Sequence, residues 1–310
     1  MQVSGRVLVC DAIDQGGIEI MKKAGLQVEY KPEIKSYELM KSVKDYDILV
    51  VRSRTKVTKE VIDTNTKLKI IGRVGVGLDN IDVKHAESKG IHVINAEIAA
   101  MTAVAELVIG LMLSLARSIP RADAAIKNDK WLKKELMGVE LKGRYLGIIG
   151  VGKIGRRIAR IARGLAMNII GYDVVPIDQQ FAREVGLTVT DLNTLLSSSD
   201  FVTLHVPLTA DTKKMINEQR LTLMKKSAYL INTSRGGVID EQALYNALKD
   251  GRIAGAALDV FEVEPPTDSM LVQLPNVVCT PHIGAQTYEA QKLAANVIAE
   301  RIIQILKGSK

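Results

Sequence analysis

The chain has little cysteine and little aromatic surface. Two cysteines, Cys10 and Cys279, occur in 310 residues. Both sit in apolar runs without metal-type or redox-type spacing, so neither a disulfide framework nor a zinc site is expected. Three Phe and one Trp leave few rings to stack on bases, and the 42 Lys and Arg that outweigh 35 Asp and Glu by a net +7 are dispersed rather than clustered. Nucleic-acid binding is therefore not expected, and a small anionic partner fits the charge better. The opening MQVSGRVLVCDAID lacks a basic stretch followed by an apolar run and a small-residue cleavage site. It reads as a first strand rather than a signal peptide, and with the cysteine usage it points to a cytoplasmic setting. One segment, Ile98 to Ala116, is apolar over nearly a membrane span, but Glu106 near its middle would cost about 2–3 kcal/mol in hydrocarbon. It reads as a buried helix, and no membrane partner is expected.

What is present is ordinary for a folded chain: 47% hydrophobic and 25% charged residues. The length suggests two domains of roughly 150 residues each. Short β-branched runs at Val7–Cys10, Val28–Tyr30, Ile48–Val51, Ile70–Gly72 and His92–Ile94 alternate with amphipathic stretches, the rhythm of a parallel sheet covered by helices. A long helix, roughly Thr102 to Ser118, leads through Pro120 into a charged segment, Lys127–Lys134, and a loop ending at Gly143. A second series follows, with strands expected at Tyr145–Ile149, Asn168–Tyr172, Thr188–Val189, Phe201–Leu204, Ala228–Ile231, Gly255–Leu258 and Val277–Cys279. A last helix, Thr287 to Lys307, has no strand after it and is free to return to the first domain.

The strongest single motif is Gly150-Val-Gly152-Lys-Ile-Gly155, between the strand YLGIIG and the helix KIGRRIARIARGL. That is the context a dinucleotide fingerprint requires. Gly150 permits the tight turn, Gly152 lets a pyrophosphate approach the backbone, and Gly155 lets helix and strand pack closely, while the helix N-terminus offers N–H groups to phosphate. Asp173, at the end of the next strand, is placed to accept hydrogen bonds from ribose hydroxyls and to repel a 2′-phosphate, so NAD is favoured over NADP.

Three later segments, INTSRGGVID, ALDVFEVEPP and VVCTPHIGA, concentrate glycine and ionisable residues at strand ends. Ligand sites of open α/β sheets lie there. The planar fork of Arg235 suits a substrate carboxylate and can polarise a neighbouring keto oxygen. His282 suits proton exchange with a hydroxyl as hydride moves, and Glu264 suits the other ring nitrogen, orienting the imidazole. Each also has a plain reading: a helix cap, a solvated acid and a turn histidine. The remaining histidines read as structural. His85 lies in a charged helix, His92 begins a strand, and His205 at a strand end supports its loop.

With VRSRTKV and GRVGVGLDNID upstream, these segments resemble the D-2-hydroxyacid dehydrogenase family over essentially the whole chain. The resemblance implies an α/β architecture of two doubly wound parallel-sheet domains with a cleft between them. The flavodoxin-like substrate domain would comprise residues 1–98 and 287–310, and the Rossmann NAD-binding domain residues 99–286. It also implies that Arg235, Glu264 and His282 form the catalytic set. NAD contacts would come from Val76, the glycine turn with Lys153 and Ile154, Asp173, Val206, Thr233, Ser234 and Arg235, Asp259 beside the nicotinamide carboxamide, and His282, Gly284 and Ala285. Domain closure around the ligands and a homodimer built on the helix near 102–118 are further implications.

For the substrate, Arg52, Arg54 and Lys56 follow one strand and the loop Gly75-Val76-Gly77 follows the next. The loop's N–H groups suit a carboxylate, and the arginines suit the distal phosphate of 3-phosphohydroxypyruvate, as in the phosphoglycerate branch of the family. Lys133 and Lys134 are candidates to assist across a dimer. Arg235 and His282 would complete the substrate contacts. The runner-up is glyoxylate or hydroxypyruvate reduction. A reading of another class is an NAD-sensing corepressor-like binding protein. The sequence stops at Lys310, soon after the last helix, so regulation through an appended C-terminal module is not expected.

Overall fold

The central runs, such as Ile48–Val51, Phe201–Leu204 and Gly255–Leu258, are buried along their whole length, which is why they read as continuous apolar runs rather than alternating ones. The computed structural model describes residues 3–308. They divide into two units: the described residues of Met1–Ala103 with Ala285–Lys310, and Val104–Gly284.

The first unit holds β1 (Arg6–Val9), β2 (Gln27–Tyr30), β3 (Ile48–Val51), β4 (Ile70–Arg73) and β5 (His92–Asn95). All pair in parallel in the order β2-β1-β3-β4-β5, the flavodoxin-like order. Successive side chains point to opposite faces, so Val7, Val9, Ile48 and Val50 join one core while Leu8, Cys10, Leu49 and Val51 join the other. The first of these cores is closed by the C-terminal helix Tyr288–Gly308, through Ala294, Ala295, Ile298 and Ile302. Burying an isoleucine such as Ile298 contributes about 1.5–3 kcal/mol. The helix starts one residue later than its sequence pattern suggests because Thr287 stands outside it as a cap, its Oγ1 accepting from Ala290 N at 3.2 Å.

The second unit holds β6 (Tyr145–Ile149), β7 (Asn168–Tyr172), β8 (Leu187–Val189), β9 (Phe201–Leu204), β10 (Tyr229–Asn232), β11 (Gly255–Leu258) and β12 (Val277–Cys279). Their order is β12-β11-β10-β9-β6-β7-β8, all parallel. Counted from β6 this is the Rossmann order with one strand added, and it reverses between β6 and β9. The chain ends of those strands are where a ligand belongs.

The apolar segment ahead of β6 departs from the expected single helix at both ends. Glu97–Ala100 is a tighter 3₁₀ turn, Met101–Ala116 is α-helix, and Ser118 adopts a left-handed backbone that ends it. A separate helix, Ile119–Lys127, then fills the stretch through Pro120 that leads to the charged segment, where no element is expected from the sequence. Glu97–Ala116 is by length and composition apolar enough to cross a membrane, but half of its most apolar stretch is buried inside the protein. Val108, Leu111, Met112 and Leu115 pack under the second sheet, whereas Leu113, Ile119 and Ile126 stay exposed.

Candidate active site

The glycine turn between β6 and the helix Lys153–Gly164 has the geometry its sequence implies. Gly150 has a φ of +92°, and a Cβ there would lie 2.4 Å from the carbonyl oxygen of His205. A Cβ on Gly155 would lie 2.2 Å from the Gly150 oxygen, so helix and turn are in contact only because neither position carries a side chain. Over Gly152, by contrast, a Cβ would meet nothing within 4 Å. Gly152, at the N-cap, makes no side-chain cap bond, and the positive end of the helix dipole there suits an anionic ligand. Lys153 stands exposed in that first turn, Ile154 packs against the core beneath, and Val206 borders Gly150 after β9.

Asp173 ends β7 with its carboxylate turned back on the same turn. Its Oδ2 accepts from Val151 N at 2.7 Å and its Oδ1 from Val175 N at 3.0 Å. Each oxygen keeps a second lone pair for a hydroxyl donor. Thr233 Oγ1, in the loop after β10, is buried and has no hydrogen-bond partner among the described residues. An open glycine turn, a helix that begins at a glycine, an acid at the next strand end and an unsatisfied buried hydroxyl together fit a dinucleotide.

Beside this cradle the loops after β10, β11 and β12 carry the ionisable residues. Asn232, fully buried at the end of β10, stitches its loop: Oδ1 accepts from Ser234 N and Oγ at 3.0 and 2.8 Å, and Nδ2 donates to Arg235 O at 2.9 Å. That turn presents Arg235, whose Nη1 donates to Ser234 O at 2.6 Å. Glu264 accepts from Phe261 N through Oε1 at 3.2 Å, while its Oε2 lies 2.8 Å from His282 Nδ1. The pairing expected from sequence is thus present, and it leaves Nε2 as the ring nitrogen that Glu264 does not engage.

His282 sits at a φ of +53°, a costly conformation for a residue with a side chain. The buried Asp259, 1% exposed, holds it there. Its oxygens accept from Thr280 Oγ1, Ile283 N and Gly284 N at 2.7 to 2.8 Å, and its backbone oxygen accepts from His282 N at 2.9 Å. Asp259, expected beside the carboxamide, is therefore seen in the structure as the clamp of the histidine loop. Asn232 and Asp259 were legible only as members of their motifs, because their partners are backbone groups.

His205 has the supporting role expected of it. Its Nε2 lies 2.8 Å from Thr203 Oγ1, and desolvation pulls it down to about 3, so it stays neutral. His85 pairs with Asp63 at 2.8 Å, and His92 begins β5 on the surface. Both cysteines are free thiols.

The other predicted residues belong to the first unit. Ala285 begins its last segment, and Gly75, Val76 and Gly77 form the loop after β4, held where Gly75 O accepts from Ala96 N and Val76 O from Asn95 Nδ2. Arg52 and Arg54 follow β3 but are not equivalent. Arg54, with a side chain 47% exposed, donates to the carbonyls of Cys10, Pro32 and Ile34 at 2.5, 2.7 and 2.9 Å. These contacts leave Arg54 less free than Arg52 to meet a phosphate.

The match to a family model covers residues 109–284 and is described as D-isomer specific 2-hydroxyacid dehydrogenase, NAD binding domain. The chain belongs to that family. Its cofactor is accordingly NAD. Among curated relatives, the D-3-phosphoglycerate dehydrogenase of Methanocaldococcus jannaschii is 50% identical over 98% of this chain and 58% of its own length. The hydroxypyruvate reductase of Thermotoga maritima is 47% identical over 97% of this chain and 98% of its own. A solved glyoxylate reductase from Paecilomyes thermophila superposes with a TM-score of 0.90 at 30% identity, covering 99% of this chain and 97% of that one. The chain spans 58%, 58% and 54% of the first three curated relatives it matches.

Proposed function

We propose that this chain is an NAD-dependent D-2-hydroxyacid dehydrogenase acting between 3-phosphoglycerate and 3-phosphohydroxypyruvate, the entry step to serine. The observation that carries the chemistry is the Glu264–His282 contact, 2.8 Å at Nδ1. It fixes the ring so that Nε2 takes the proton of a C2 hydroxyl during oxidation and returns it during reduction. Glu264 holds the Nδ1–H and stabilises the imidazolium that forms. Arg235, raised on the turn that Asn232 stitches, binds the substrate carboxylate and polarises the 2-oxo oxygen. When bound, NAD accepts or supplies the hydride at C2. Thr233 and the first turn of the helix Lys153–Gly164 hold it, and Asp173 binds its ribose hydroxyls.

The preference for a phosphorylated acid is supported by the phosphoglycerate dehydrogenases among the relatives and by Arg52 following β3. A specific observation favours the second reading, hydroxypyruvate reduction: the Thermotoga maritima reductase matches nearly end to end, with 97% and 98% coverage. A homodimer is proposed from the exposed Leu113, Ile119 and Ile126 on neighbouring helices, and a cytoplasmic location from the cysteine usage. The test is NADH oxidation with 3-phosphohydroxypyruvate, hydroxypyruvate, glyoxylate and pyruvate, compared as kcat/KM. A preference of roughly tenfold for the phosphorylated acid, about 1.4 kcal/mol in the transition state, is expected. Equal or better rates with hydroxypyruvate or glyoxylate select the second reading. No turnover with any of the four selects a binding protein that senses NAD.

A further inference from the structure

In the first unit the chain ends of β1 and β3 are joined by one buried carboxylate. Asp11, 3% exposed, accepts from Arg52 N at 2.5 Å and Thr55 N at 3.3 Å through Oδ2, and from Thr55 Oγ1 at 2.8 Å through Oδ1. The same Oδ1 lies 2.9 Å from Arg54 Nη2. Asn80 closes the opposite side, its Nδ2 donating to Arg52 O at 2.7 Å and Thr55 O at 2.6 Å. Two side chains thus hold both the N–H and the C=O at each end of the loop 52–55.

The two arginines of that loop are thereby sorted. Three carbonyls and a carboxylate meet the terminal nitrogens of Arg54, at 2.5 to 2.9 Å. Among the described residues Arg52 makes two guanidinium contacts, Nη1 to Ala12 O at 3.1 Å and Nη2 to Gln286 Oε1 at 3.3 Å. Both are long for a charged donor and easily exchanged for a better acceptor. We infer that Asp11 and Asn80 are positioning residues, which lock Arg54 into the loop as an anchor and present Arg52 alone to the distal anionic group of the substrate. The inference rests on the reading of a phosphorylated 2-oxo acid. A buried carboxylate is costly unless every lone pair is engaged, and removing it strands the cation it held. Asp11→Asn therefore loosens Arg54 from the carbonyls around it and lets the backbone under Arg52 slacken.

The experiment combines phenylglyoxal labelling of the folded full chain, mapped by peptide mass spectrometry, with steady-state kinetics. In the wild type, Arg52 is expected to react at least roughly tenfold faster than Arg54, because the reagent needs an uncommitted guanidinium. In Asp11→Asn, Arg54 becomes reactive, and KM for 3-phosphohydroxypyruvate rises roughly tenfold with a much smaller change in kcat, the signature of lost ground-state binding. Hydroxypyruvate, lacking the distal group, is affected less. Asn80→Ala gives the same signs with smaller size and serves if Asp11→Asn does not fold. Equal labelling of the two arginines in the wild type overturns the inference, as do variants that leave both labelling and KM unchanged. A wild type that uses both acids equally overturns the phosphorylated-substrate reading instead. The labelling order then still decides whether Arg54 is the anchor.

Discussion

Gly236 follows Arg235, and its replacement by alanine tests whether the loops after β10 and β11 must touch. An alanine Cβ there would lie 1.9 Å from the carbonyl carbon of Phe261, 2.0 Å from its oxygen and 2.4 Å from Glu262 N. All three are backbone atoms, so no rotamer change relieves the clash. Restoring ordinary van der Waals contact requires the two segments to part by about 1.5 Å. One segment carries Arg235. The other carries Glu264 through its bond to Phe261 N. A displacement of about 1 Å between groups acting on one substrate costs on the order of 100-fold in rate, about 2.7 kcal/mol in the barrier. The overpacking itself costs about 1–3 kcal/mol of stability. The assay is kcat for NADH-dependent 2-oxo acid reduction, with melting temperature and NADH affinity measured on the same preparation. Gly236→Ala is expected to lose kcat by roughly two orders of magnitude while NADH affinity, set mainly by the glycine turn, falls far less. A folded variant with kcat within about threefold of wild type would show that Arg235 and Glu264 need no common frame, and would refute the reasoning.

Three further outcomes follow from the geometry. Asp259→Asn replaces an acceptor oxygen with an N–H₂ group facing the loop donors, and one unsatisfied buried donor costs about 1–3 kcal/mol. Both melting temperature and kcat should fall, and a drop in neither would show that the histidine loop holds itself. Asp173→Ala should weaken NADH binding in calorimetry and also lower the melting temperature without cofactor, because Val151 N and Val175 N lose their acceptor; unaltered apo stability would contradict that double role. His205 accepts a proton in the unfolded chain below its ordinary 6.5 but in the folded protein only near 3. The unfolded state therefore binds more protons in that window, and stability falls as pH drops through it, by up to about 1.4 kcal/mol per pH unit from this group. Urea unfolding at several acidic pH values should show His205→Gln with the shallower slope, and parallel slopes would exclude this assignment.

The sheets were readable because parallel strands buried on both faces must be apolar runs, and β3, β6, β7, β9, β11 and β12 lie where those runs lie. The helix Ile119–Lys127 was hidden by Pro120, which usually marks a stop. Here it occupies the first turn, where its missing N–H leaves no bond unmade. Arg235, Glu264 and His282 were legible because each stands just past a strand in a loop rich in glycine or proline. Their supports were not, since a buried Asp or Asn that serves backbone groups leaves no local pattern. Asp11 meets Arg52 across 41 residues. Nor can the sequence Arg52-Ser-Arg54 say which guanidinium the neighbouring carbonyls engage, because the path of the loop decides it.

The C-terminal helix Tyr288–Gly308 packs on the helix Gln15–Lys23 so closely that a Cβ on Gly17 would lie 2.7 Å from the backbone oxygen of Ala295. During synthesis this imposes an order. The N-terminal segment leaves the ribosome first, yet one core of its sheet stays incomplete until residues 285–308 have emerged, whereas Val104–Gly284 is one uninterrupted stretch. The middle of the nascent chain can therefore fold before its beginning does.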